Sequence, residues 1–137
     1  MKRNVLFFIL ALIATSCFSP SEKLRETKFK PEMQAVADKY KSELQPEIFA
    51  TSPGWSRFDT IETHRVIISI INAKKLPESY SKLNDLAKEI SKEVYNQLEN
   101  KNDYSMIEVL FRNKKGVGIA NVQVSRNFQF KYEELTE

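Results

Sequence analysis

Arg65-Val66-Ile67-Ile68-Ser69-Ile70-Ile71 is the stretch on which the fold turns. Five of its seven residues are β-branched and none is Gly or Pro, a composition that fits a pleated, packed surface better than a helix. Apolar residues fall on both alternating faces, so the run predicts a strand over about residues 60–72. After Pro77 the period changes. Tyr80, Leu83, Leu86, Ala87, Ile90, Val94 and Leu98 recur at helical spacing, with Lys82, Lys88, Glu89, Lys92 and Glu93 mostly off that stripe. This predicts an amphipathic helix over residues 79–100, ended by Asn100-Lys101-Asn102-Asp103.

Upstream, Pro31 suits a first helical turn, Met33, Val36, Ala37, Tyr40 and Leu44 follow helical spacing, and Pro46 closes the pattern, predicting a helix over 31–44. Residues from 45 to about 57 read as a loop, with a turn at Ser52-Pro53-Gly54-Trp55, made greasy by Ile48, Phe49, Trp55 and the adjoining Phe58. The last third reads as a hairpin of 104–112 and 117–130 around Asn113-Lys114-Lys115-Gly116. Pairing Arg112 with Val117 sets Phe111 against Gly118, Val109 against Ala120 and Ile107 against Val122, keeping one face apolar, whereas a one-residue slip splits the apolar set. The order α-β-α-β-β describes a small two-layer α+β domain over 31–137. Two helices would cover one face of a three-stranded, largely antiparallel sheet, with a right-handed crossover and the last strand between the other two.

The first 16 residues follow another logic. Lys2 and Arg3 precede an apolar run from Val5 to Ile13, and the small residues Ala14-Thr15-Ser16 lead directly to Cys17. This is the order of a secretory signal, with an apolar run shorter than the roughly 20 residues of a spanning helix. The tract resembles the lipobox of bacterial lipoproteins, although Ala14 stands where that family usually has Leu. The resemblance implies cleavage before Cys17, a lipid on its side chain, and a place in the cell envelope, on the periplasmic side of the outer membrane. It covers the first 17 residues only. Residues 17–30 are polar and charged after the first positions and read as a flexible tether.

The chain of 137 residues carries 21 basic and 18 acidic side chains. Taking Lys2 and Arg3 from the 21 leaves 19 against 18, a mature charge of +1 that gives no electrostatic footprint for nucleic acid. The basic and aromatic interleaving in Arg126-Asn127-Phe128-Gln129-Phe130-Lys131-Tyr132 does not change that expectation.

No Gly-x-Ser-x-Gly elbow, phosphate-cradling Gly-rich loop or His-Glu-x-x-His helix is present. With its one cysteine, Cys17, given to lipid, no thiolate nucleophile or zinc ligand set remains. No cofactor or metal is expected. The one pair with catalytic potential is Glu62 and His64, which share a strand face and would serve a small hydrolase or metal-dependent enzyme.

Two stretches suggest recognition. Phe49 and Trp55 in the greasy loop have the character of interface anchors. On the last strand, Asn121, Gln123 and Ser125, continued by Asn127 and Gln129, form an uncharged polar stripe beside Met106, Glu108 and Leu110, suited to a glycan or another chain's backbone. Arg126, on the otherwise apolar face, suggests a bulge. The leading expectation is a lipid-anchored envelope module that binds or assembles with a protein or glycan partner, including an inhibitor or immunity type that neutralises a toxin. A structural component of an envelope complex and the Glu62/His64 enzyme are the alternatives.

Overall fold

The computed structural model describes residues 26–54, 64–117 and 120–137. Helix α1 (Met33–Leu44) leads to strands β1 (Ile48–Gly54) and β2 (Arg65–Ile71). Helix α2 (Tyr80–Gln97) follows, then β3 (Met106–Val117), β4 (Ala120–Lys131) and the short α3 (Tyr132–Thr136), with a 3-10 turn at Lys101–Asp103. Among the described residues this is a mixed α/β fold with a four-stranded sheet in the order β1-β2-β3-β4. The β1–β2 and β3–β4 pairs are antiparallel, and β2–β3 is parallel across the α2 crossover.

The core follows from the two periodicities. Every second residue of the strands points to one face, and Val66, Ile68, Ile70, Ile107, Val109, Phe111, Phe128 and Phe130 are buried there. From α2, Leu83, Ala87, Ile90 and Val94 meet them, with Leu98 just beyond the helix; from α1 come Val36, Tyr40 and Leu44. One buried cluster joins both helices, three strands and Leu135 of α3. α1 ends at Gln45, left-handed with φ of 48°, whose N–H donates back to the Lys41 carbonyl at 3.1 Å, a helix-closing device.

Both long helices and the 65–71 strand lie where the sequence places them, but other expectations are corrected. The sheet has four strands because Ile48–Gly54, expected as a loop with a turn, is an edge strand paired residue for residue with β2. Proline is tolerated at a sheet edge, where no neighbour needs its missing N–H. Gly54 serves a close approach: a Cβ there would collide with the Ile67 side chain. A third helix, α3, follows β4 directly.

The last strand is at the other edge, not in the middle; the apolar β2 and β3 take the centre, and amide-rich β4 takes the solvated margin. The hairpin also reverses later than expected. Asn113 to Gly116 continue β3, Val117 pairs with Ala120, and twelve consecutive pairs run to Met106 and Lys131 without a bulge. This register brings Phe128 opposite Val109 and Phe130 opposite Ile107, beneath α2. The expected register would have left both rings beyond the start of β3. Burying two phenylalanines outweighs a local turn signal. Because the shift is even, each residue keeps its expected face.

The last residues of the expected tether belong to the fold. Phe29 bridges to Leu98, and Lys30 N–H donates to the Gln97 carbonyl and Glu99 N–H to the Lys28 carbonyl, both at 2.8 Å. Asn100 completes the junction: Oδ1 accepts from Lys28 N–H at 2.8 Å, and Nδ2 donates to the Glu26 carbonyl at 3.1 Å.

Candidate functional site

The late reversal of the hairpin creates a concavity. β2 ends at Ile71, opposite Arg112, yet β3 runs on to Val117 and β4 begins at Ala120. The ends of β3 and β4 therefore form a two-stranded ribbon beyond the sheet. Asn72 supports its base. Its backbone is left-handed, φ 52°, a conformation asparagine adopts more readily than most residues. Its N–H donates to the Arg112 carbonyl at 2.8 Å. The side chain receives the Lys114 N–H on Oδ1 at 2.7 Å and donates through Nδ2 to Glu47 at 2.6 Å. One residue thus extends the ladder past β2 and ties in the chain before β1.

The opposite wall is the connection into α2. Lys74 and Lys75 N–H groups both donate to the Leu44 carbonyl, at 3.0 and 3.1 Å, fixing this segment to the end of α1. The Tyr80 ring closes on Phe128 at 5.3 Å between centroids. Between ribbon, connection and first turn of α2 lies a cavity of about 660 Å³. Its apolar lining is Ala73, Leu76, Pro77, Leu83, Phe111 and Val124; Lys115 and Arg126 add two cations from the same face, Arg112 belongs by register to the other face with Ser125, and no carboxylate is among the described lining residues. Val124 is 57% exposed. Arg112 Nε is buried without a hydrogen-bond partner among the described residues.

The described residues singled out by sequence do not come together. Phe49 lies on β1, half-buried and stacked on Tyr40 with centroids 6.2 Å apart, beside a shallow groove of about 360 Å³ that includes Lys30, Gln34 and Lys41. Trp55 lies outside the described residues. Gln123 and Ser125 are exposed on β4, at the far edge of the sheet and on its opposite face. Asn121 pairs with Gly116; its side chain lies outside those described. Moreover, Asn121, Gln123 and Ser125 face Gly116, Lys114 and Arg112, not Met106, Glu108 and Leu110, which sit opposite Lys131, Gln129 and Asn127. The expected joint patch is thus drawn apart along the strands.

On that same face Glu108 is buried, held by Arg65 at 2.7 Å between Nε and Oε2 and by the Asn127 amide at 3.3 Å. Here an amide of the polar stripe bonds laterally within the sheet. Glu62 lies outside the described residues, and the His64 carbonyl accepts from Ser105 N–H at 2.9 Å and Oγ at 3.2 Å. Among the described residues no three His, Cys, Asp or Glu side chains gather as a metal set, and no helix is long and apolar enough to cross a membrane.

Sequence reasoning missed the cavity, although one signal pointed to it. Arg126 interrupts the apolar stripe of β4, which in the sequence suggests a bulge. The register is continuous there, and Arg126 lines the cavity instead. No family model, curated protein or solved structure matches this chain.

Proposed function

We propose that this chain is a lipid-anchored binding or assembly module of the bacterial cell envelope, held through Cys17 at the periplasmic side of the outer membrane. The observation that carries the reading is the cavity under the β3–β4 ribbon, about 660 Å³, within the size range of ligand sites. Its walls are fixed by hydrogen bonds from Asn72, Lys74 and Lys75, the preorganisation that recognition needs. The order of charge, apolar run and small residues before Cys17 supports the anchor. The eight residues between Cys17 and Glu26 can span at most about 30 Å, which keeps the fold close to the surface that holds it.

Metabolic labelling with an alkyne fatty acid tests the anchor: the native chain should be marked and Cys17→Ser unmarked, and equal marking of both would remove the lipid from the account. A photo-reactive amino acid in place of Val124 tests the recognition site in cells. An adduct from position 124 and none from Asp38 on α1 is the expected result; adducts from neither would place recognition away from the cavity.

A further inference from the structure

We propose that the cavity under the β3–β4 ribbon binds a single-chain amphiphilic anion of the free fatty acid class, with its hydrocarbon against Leu76, Leu83, Phe111 and Val124 and its carboxylate at Arg126, Lys115 being the second cation of that face. The inference deepens the preceding reading and rests on it only for the cavity. Apolar surface left open within a concavity marks binding more often than chance, and here Val124 is more than half exposed. The polar end is one-signed. Neither Lys115 nor Arg126 makes an ion pair among the described residues. Two cations without a carboxylate among the described lining favour an anion over a cation or a neutral ligand, and a guanidinium matches a carboxylate in geometry as well as charge. A glycan would leave the apolar wall unused, and an uncharged hydrocarbon would leave the cations unused. Size selects further: at about 30 Å³ per small group, the share of a water molecule in its liquid, the cavity holds on the order of twenty groups. A twelve-carbon acid fits, and a two-chain phospholipid does not.

The full chain, purified in mild detergent, is exposed to a twelve-carbon acid carrying a diazirine near its methyl end, irradiated and mapped by peptide mass spectrometry. Label should concentrate on peptides containing residues 76–83 or Val124. Unlabelled dodecanoate should displace it at a concentration at least ten-fold lower than dodecanol or dodecylamine requires. Val124→Trp, which fills the cavity from an exposed position, should abolish labelling. Arg126→Glu should weaken dodecanoate competition at least ten-fold and leave dodecanol unchanged, both variants keeping the native melting profile. Label scattered over the surface, or dodecylamine competing as well as dodecanoate, would overturn the proposal; stronger displacement by lysophosphatidylglycerol would overturn the free acid in favour of a lipid headgroup. Partner adducts from position 124 without acid labelling would sink this inference alone, whereas acid labelling without acylation of Cys17 would sink only the anchor.

Discussion

At the scale of single residues, Asn72 does the work of a short strand. It combines a left-handed backbone with two side-chain hydrogen bonds and a backbone bond to β3. Asn72→Gly keeps the backbone geometry and loses both side-chain bonds, while Asn72→Ala also carries the steric cost of Cβ at positive φ, about 1–2 kcal/mol. Stability in urea should therefore fall in the order Asn, Gly, Ala, with the Gly variant losing about 1–3 kcal/mol. An Ala variant as stable as the Gly variant would show that the left-handed turn relaxes. Tyr132 presents the reverse case. Its ring packs on Tyr95 at 4.6 Å between centroids, but its buried hydroxyl has no partner among the described residues. Removing an unsatisfied buried hydroxyl leaves the ring in place and ends a desolvation cost. Tyr132→Phe should accordingly be neutral or stabilising in thermal unfolding, and a clear loss of melting temperature would reveal a partner for that oxygen.

At the scale of elements, α2 carries the core and tests the assigned helix face. Val94 is fully buried on the helix stripe, while Leu86 is half-buried and packs against the cluster from its margin. Val94→Ala should cost about 1–3 kcal/mol and Leu86→Ala no more than that, measured by denaturant unfolding; a larger loss at Leu86 would mean that the helix is turned on its axis. Both long helices were legible because a stripe such as Leu83, Ala87, Ile90 and Val94 repeats over several turns. The faces of β3 and β4 were legible too, since period two survives any even shift of register. The rest depended on competition between local and distant terms. Pro53-Gly54 writes a turn and an edge strand with the same letters, and only the partner Val66-Arg65 decides between them. Asn113-Lys114-Lys115-Gly116 has the composition of a turn, but the pairing is set by Phe128 and Phe130 seeking α2. Because the cavity is made by that longer hairpin, it was invisible until the register was known, apart from the misplaced charge of Arg126.

At the scale of the whole molecule, one buried cluster joins α1, α2 and the sheet, and its margins carry three groups whose protonated forms the fold favours. Tyr40 is fully buried and its phenol is pushed above its ordinary value of 10.0, first by burial and then by Glu93 and Glu89. Tyr132 is raised first by burial and then by Tyr95 and Tyr104. Lys39, whose ammonium lies between Glu93 and Glu89 on α2, is raised above 10.5, chiefly by the hydrogen bond to Glu93. In each case the unfolded chain gives up its proton at lower pH than the folded one. The stability contributed is therefore complete below the unfolded values, near pH 10, and is lost as pH rises towards the folded ones. Urea midpoints should be level from pH 7 to 9 as far as these groups are concerned, then fall above pH 10. Each tyrosine adds a limiting slope of about 1.4 kcal/mol per pH unit. Lys39, more than a third exposed, should add less because solvent screens its pairs, and its share should shrink in high salt. Replacing Tyr40 and Tyr132 together by Phe should flatten most of the alkaline fall while leaving the Lys39 share. A stability profile that stays level through pH 11, or one whose fall survives the double replacement unchanged, would show that the phenols are not held in their protonated forms by this core.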